Sequence, residues 1–321
     1  MEISALTTKF DPSCQTDSTR RLYSRLEAMA RNFVKEIKEL NKTYVHIKDP
    51  EKLNAKLNGI INDGFQQLQV VSDFDQTLTK QHENGKRHKS SFRIFECCPS
   101  VTEQYLEKTN ALTEKYFPLE YDPNISEEEK RKLMEEWWLQ SEKILCGLTV
   151  SCKEIDEAVA KAGSSLRDGT KDLFQALQSQ DVPILVFSAG LGNIVVSVLK
   201  NQNVYLPNVK VISNFLKYDE SGTIEGFTGP LIHVLNKNEF AIKNTEYFDL
   251  VKNRNNVILL GDSLGDAKMA DGMAHANYVL KIGFIYEKIE GNLPAYMDTF
   301  DIVLEDDQTM DVIRAIINLI K

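Results

Sequence analysis

Leu68-Gln69-Val70-Val71-Ser72-Asp73-Phe74-Asp75-Gln76-Thr77 is an apolar, β-branched run that ends in two carboxylates and a hydroxyl. Alternate residues of an extended chain point to the same side. Asp73 and Asp75 therefore face one way where a strand gives out into a loop, with Thr77 two positions on. In open α/β sheets, ligand sites collect at the carboxyl ends of strands. One such carboxylate can attack phosphorus or bind a metal while its neighbour, with a raised pKa, carries a proton. Two acids in a solvated turn would look the same, and only the rest of the chain separates these readings.

Short apolar stretches recur at 182–187, 209–213 and 257–260, with weaker ones at 278–282 and 300–304 and helical patterns between most of them. Continuous apolar strands separated by helices predict a parallel sheet covered on both faces, an α/β fold. Lys217–Thr223 followed by Ile224–Phe227 predicts a hairpin. Residues 81–165 read as helical and charge-rich, with Pro118, an Asp122-Pro123-Asn124 turn and Ser126 spaced from Glu129 as in a capping box. Leu22, Leu26, Met29, Phe33, Ile37 and Leu40 predict one amphipathic helix over 18–42, capped by Ser18 or Thr19. Its apolar face either packs on its own domain or meets a partner.

The 321 residues suit a core domain with a substantial insertion, and 42% apolar with 26% charged residues is ordinary for a globular chain. A net charge of −9 argues against a nucleic-acid or anionic-membrane surface, which needs clustered Lys and Arg. No apolar stretch approaches the ~20 residues of a membrane span. Met1–Lys9 lacks the apolar region of a signal peptide, and Glu2 and Asp11 do not suit a transit peptide. Cys14, Cys97, Cys98, Cys146 and Cys152 form neither a zinc spacing nor a disulfide framework, so they read as reduced thiols of a cytoplasmic protein. The histidines show no HxxxH or HExxH pattern, which argues against a histidine-based metal site. A monomer is expected.

Two further motifs sit where strands are predicted to end, and a lysine lies between them. Ser188-Ala189-Gly190-Leu191-Gly192-Asn193 follows Phe187 and opens a helix, where a hydroxyl and free amides make an anion site. Gly261-Asp262-Ser263-Leu264-Gly265-Asp266 follows Leu260, and its oxygens suit a hard cation such as Mg²⁺. Lys237, in His233-Val234-Leu235-Asn236-Lys237-Asn238, is not distinguished locally.

The order DxDxT, Ser, Lys, GDSxGD resembles the motifs of the haloacid-dehalogenase-like phosphatase superfamily. Within it, the stretches 72–78, 187–192, 231–238 and 259–266 are similar to the cytosolic 5′-nucleotidase III family of pyrimidine and 7-methylguanosine-phosphate nucleotidases. The resemblance runs from about residue 43 to the C-terminus. It implies a Rossmannoid parallel sheet with helices on both faces and a helical cap inserted after the first motif strand. The implied division is an N-terminal extension over 1–42, a catalytic core over 43–80 and 166–321, and a cap over 81–165.

The resemblance also implies roles. Asp73 is the nucleophile that takes the phosphoryl group, and Asp75 protonates the leaving 5′-oxygen before deprotonating water. Mg²⁺ is held by Asp73, the Asp75 carbonyl and Asp262, with Ser263 and Asp266 behind it. Thr77, Ser188, the Ala189 amide and Lys237 bind phosphoryl oxygens, Lys237 also stabilising the transferring charge. In the cap, Trp138 stacks on the base, Ser141 contacts the nucleotide and Glu120 hydrogen-bonds the base edge. Trp137, about 100° away on the same helix, is assigned to the cap core. The substrate is a nucleoside monophosphate, CMP, UMP or 7-methyl-GMP, and a nucleoside that intercepts the phosphoenzyme gives a phosphotransferase side activity. A related phosphatase on a non-nucleotide phosphomonoester is the alternative. The chain departs from the family in three places: His82 lies where an aromatic usually follows DxDxT, Glu142 replaces a histidine, and Ser90–Ser100 looks unlike the family.

Overall fold

The computed structural model describes residues 31–120, 122, 124–162, 165–238, 245–271, 276–287 and 289–321. Its centre is an eight-stranded sheet, ordered β1-β10-β9-β8-β2-β5-β6-β7. The strands are β1 (Val45–His46), β2 (Leu68–Ser72), β5 (Ile184–Leu191), β6 (Val209–Tyr218), β7 (Ile224–Thr228), β8 (Asn256–Gly261), β9 (Tyr278–Ile285) and β10 (Ile302–Glu305). Each pairing from β10 across to β6 is parallel, and only β1 and β7, at the edges, run antiparallel. A separate small hairpin joins β3 (His82–Glu83) to β4 (Lys86–Arg87).

The period of two explains why this sheet is covered twice. Val70, Ile184, Val186, Ile258 and Leu260 bury into one apolar cluster. Their alternates Val71, Leu185, Phe187, Val257 and Leu259 bury into another. A side chain of this kind contributes roughly 1.5–3 kcal/mol when fully buried. One face alone could not hide both sets, so helices flank both. The chain order reverses at β2: β5 and β6 are added on one side, β8, β9 and β10 on the other. A crevice at the strand ends follows from that reversal. Asp73 and Asp262, directly beyond β2 and β8, lie at its mouth.

Between β2 and β5 the chain makes an excursion. It leaves past Thr79, which bridges to Leu166 on the return, and includes helices Ser91–Phe95, Glu103–Glu120, Glu127–Leu145 and Cys152–Ala162. The Ser126–Glu129 capping box forms as expected, and Pro118 is accommodated inside Glu103–Glu120 instead of ending it earlier. The excursion is docked on the core by named bonds. Phe227 N donates to Glu142 Oε1 (2.8 Å), Gly147 N to Ile224 O (2.9 Å), and Lys268 pairs with Glu127 (2.6 Å). Glu142, the residue that departs from the family pattern, is thus a docking residue on β7.

Two expectations change. The amphipathic helix over 18–42 does not run through to its end, and the part before Arg31 lies outside the described residues. Asn32 caps a single turn Phe33–Glu36, Ile37 is extended at φ −76° and ψ 106°, and a 3-10 turn covers Lys38–Asn41. The Asn41 side-chain amide takes the carbonyls of Val34 (3.1 Å) and Ile37 (2.8 Å), which helical amides would otherwise occupy. Phe33, Ile37 and Leu40 still bury in the main core, so these described residues pack on their own domain. The second change is at 188–191, expected to lie beyond the strand and to open a helix. It extends β5 with a register shift against β6, and the helix begins at Gly192.

Candidate active site

Four strand ends and the loops beyond them converge on a cavity of about 920 Å³. Asp73, Asp75, Ser188, Lys237, Asp262 and Asp266 line it from the core. Glu120, Trp137, Trp138 and Ser141 line it from the excursion. The structure thus brings together all the sequence-predicted site residues except Thr77, with Ala189 and Ser263 also on the wall.

Lys237, 3% exposed, lies between two carboxylates, with Nζ 2.6 Å from Asp73 Oδ1 and 2.5 Å from Asp266 Oδ1. Burial opposes its charge, but Asp266 and Asp73 hold it above the ordinary lysine value. Asp73 itself is driven up by burial to about 7, with Lys237 pulling against that and Asp266 adding to it. Asp262 is raised well above its ordinary value by burial, then by Asp73 and Asp266. Asp75 is also raised by burial, and donors from Ser91 oppose the rise. In this cluster Asp73, Asp75, Asp262 and Asp266 share one lysine, so it is short of positive charge, although Arg87, Lys89 and Arg93 line the same cavity.

That shortage is the test of a cation. Ligand oxygens of Asp73, Asp262 and Asp266 lie within 4.8 Å of one another, an all-oxygen set that fits a hard divalent ion. Asp266 is otherwise engaged: its Oδ2 accepts from Ser263 Oγ (2.7 Å), Ser263 N (2.9 Å) and Asp262 N (3.3 Å). A carboxylate with three donors on one oxygen and a lysine on the other holds the turn in shape. Gly261 is required for this approach, because a Cβ there would lie 2.4 Å from the Asp266 Cβ.

Thr77 is placed otherwise than expected. Fully buried and off the cavity wall, it donates to Asp262 Oδ1 (3.1 Å), so its hydroxyl is engaged with a neighbouring acid and does not line the cavity. Ser188, 1% exposed, accepts from Gly190 N at 3.0 Å, and Leu191 N donates to Ser91 Oγ at 3.2 Å. Those two amides, expected to be free for an anion, are already used. The Ala189 carbonyl accepts from the Trp138 indole N–H (3.2 Å) and from Asn214 (2.9 Å). Trp138 is therefore tied by its edge to the strand that carries Ser188.

Trp137 is not a core residue. It is half-buried on the cavity wall, stacked on Tyr116 at 5.8 Å and 13° and edge-on to Trp138 at 5.0 Å. The 100° between neighbouring helical positions is small enough for both indoles to reach one wide cavity. Ser141 Oγ donates back to the Trp137 carbonyl (2.9 Å). Glu120 is pushed up to about 7 by burial and then by Asp266. His233, near Trp138, is lowered to about 4 by burial. His82, at the position where the family usually has an aromatic, is turned elsewhere. It lies off the cavity wall, 2.6 Å from Asp306 and against the Tyr286 ring.

Three further residues shape the site without a local sequence signal. Ser91 donates to both oxygens of Asp75. The Tyr296 hydroxyl donates to the Asp262 carbonyl at 2.5 Å. Arg167, 1% exposed, donates to the carbonyls of Gln76 (2.6 Å), Thr77 (2.7 Å) and Asp307, and its guanidinium lies 3.8 Å over Phe284.

Residues 76–321 match the family described as pyrimidine 5′-nucleotidase (UMPH-1). The chain belongs to this family. It is accordingly a phosphomonoester hydrolase of the 5′-nucleotidase class. A 7-methylguanosine phosphate-specific 5′-nucleotidase of Drosophila melanogaster is 45% identical over 290 residues, covering 90% of this chain and 91% of the relative. The Homo sapiens protein of the same name is 38% identical, covering 88% and 94%. Among solved structures, cytosolic 5′-nucleotidase IIIB bound to cytidine superposes with a TM-score of 0.86 at 44% identity, covering 89% of this chain and 96% of that one. These family members agree with the fold expected from the motif order.

Proposed function

We propose that the protein hydrolyses nucleoside 5′-monophosphates, 7-methyl-GMP and the pyrimidine nucleotides CMP and UMP, to nucleoside and phosphate through a phosphorylated Asp73. The observation that supports this most is the single cavity in which the acid–lysine cluster and the Glu120, Trp137, Trp138 wall face one another. Relatives named for 7-methylguanosine phosphate and a similar structure bound to cytidine support the base classes.

Asp73 attacks phosphorus, and the phosphoryl–ribose oxygen bond breaks as the new bond forms. Asp75 gives its proton to the departing 5′-oxygen, then takes one from the water that cleaves the aspartyl-phosphate. Ser188 and Lys237 hold the phosphoryl oxygens, and Lys237 stabilises charge that builds in the transition state. Asp73, Asp262 and the Asp75 carbonyl would hold Mg²⁺, with Ser263 and Asp266 behind them, and the ion would there keep the nucleophile ionised and screen the phosphate dianion. Phosphomonoester hydrolysis is slow enough uncatalysed to need accelerations of up to about 10²¹-fold, so these groups act jointly.

On the base side, Trp138 and Trp137 offer aromatic surface, which favours the cationic ring of 7-methylguanine. Glu120 accepts from the base edge, and Ser141 lies one helical turn from Trp138. Cytosolic residence is in keeping with the name of the similar structure, and no described helix is long and apolar enough to cross a membrane. Phosphate release from a panel of CMP, UMP, AMP, GMP, 7-methyl-GMP and glucose 6-phosphate tests the reading. Trp138→Ala should raise KM for the preferred nucleotide by roughly 5- to 150-fold, as expected for a base–aromatic stack of about 1–3 kcal/mol. Equal turnover of the sugar phosphate would contradict it.

A further inference from the structure

Resting on the reading of Asp75 as the proton carrier, we propose that Ser91 is the positioning residue of the proton-transfer step, locking both carboxyl oxygens of Asp75 so that its proton meets the leaving oxygen. Ser91 begins the first helix of the excursion, 16 residues beyond Asp75 and within the residues that match the family. Its amide donates to Asp75 Oδ1 at 2.8 Å and its hydroxyl to Oδ2 at 2.7 Å. The side chain is fully buried, and Ile94 and Phe95 of the same short helix are buried with it.

The hydroxyl's direction is also fixed. Leu191 N donates to Ser91 Oγ at 3.2 Å, so the oxygen accepts from β5 while its one proton points at Asp75. Gly190 provides the room: a Cβ there would lie 2.0 Å from Ser91 Oγ and 3.0 Å from Asp75 Oδ2. The strand that carries Ser188 and the helix that opens the excursion therefore meet on the acid. A carboxylate oxygen has two lone-pair directions, so each Asp75 oxygen keeps one for substrate or water. In the first step the Asp73 oxygen bonds to phosphorus, the bond to the 5′-oxygen breaks, and the Asp75 proton goes to that oxygen. In the second, water oxygen bonds to phosphorus, the bond to Asp73 breaks, and the water proton returns to Asp75. Ser91 touches neither reacting atom and acts through Asp75.

Leaving-group dependence tests this, because an alkoxide needs the proton and p-nitrophenolate does not. kcat/KM, which reports the first step, is measured with Mg²⁺ for CMP, 7-methyl-GMP and p-nitrophenyl phosphate on the wild type, Ser91→Ala, Ser91→Cys and Gly190→Ala. Ser91→Cys keeps the size and the amide but weakens the donor, and covers the case in which Ser91→Ala does not fold. The expected result is a roughly 10–100-fold loss on the nucleotides, at least about tenfold greater than the loss on the aryl phosphate. Gly190→Ala should show the same split. Equal losses on both substrate types, or none on either, would overturn the proposal. If the wild type turned over p-nitrophenyl phosphate but no nucleotide, the nucleotidase reading would fail instead, and glucose 6-phosphate as the alkyl ester would still decide the role of Ser91.

Discussion

Asp73 and Glu120 share an unusual condition: both are carboxyls pushed up to about 7, chiefly by burial. For Asp73 the nearby lysine favours ionisation, as would the proposed cation, and that is the state the proposed nucleophile needs. Glu120 has no ion pair among the described residues, and its condition carries a stability signature. Its unfolded form releases a proton near 4.5 and its folded form near 7, so the folded state binds more protons between those values. Stability contributed there falls as pH rises from the lower value to the upper and then levels off. In metal-free protein, the melting temperature of Glu120→Gln relative to wild type should therefore rise between pH 5 and pH 8. Differential scanning calorimetry at several pH values checks this, and a constant difference would contradict it. The same variant should bind a guanine or cytosine edge less well, seen as raised KM.

At the scale of elements, the loop after β2 is held by its own turn bonds to the Phe74 carbonyl and also from outside. Arg167, where the chain returns from its excursion, donates to three carbonyls that link Gln76 and Thr77 to the turn at Asp307. Arg167→Ala leaves those carbonyls unsatisfied, and a loss of roughly 3 kcal/mol or more is expected in urea unfolding, with activity falling as the loop loosens. A change within a few tenths of a kcal/mol would show that water replaces the guanidinium. Neither Arg167 nor Ser91 was legible in the sequence, because each acts across a long loop and stands in a stretch without periodicity. The strands were legible for the opposite reason: both faces of Val70–Val71, Ile184–Phe187 and Val257–Leu260 are apolar, and a parallel sheet is the structure that buries them. The resemblance assigns Thr77 to the phosphate, and no pattern in the sequence shows that its buried hydroxyl turns to the neighbouring Asp262. The helix at 18–42 was overextended because periodicity does not show the Asn41 side chain capturing carbonyls.

For the molecule as a whole, the sheet reversal at β2 brings Asp73, Asp75, Asp262, Asp266 and Lys237 into one cavity with the aromatic wall of the excursion. An ion that binds the folded state alone stabilises it by about 2.7 kcal/mol at 100 times its Kd. Mg²⁺ should accordingly raise the melting temperature by several degrees, and Asp262→Asn should remove most of that shift. EDTA should abolish phosphate release, and Mg²⁺ should restore it. Activity that survives chelation would contradict the metal assignment. The most direct test of the central claim is phosphate release from 7-methyl-GMP, CMP and glucose 6-phosphate with Mg²⁺, wild type beside Asp73→Asn. Turnover of at least one nucleotide should exceed that of the sugar phosphate by roughly 10²-fold or more, and Asp73→Asn should retain less than about a thousandth of it. Comparable turnover of glucose 6-phosphate, or an active Asp73→Asn protein, would contradict the account.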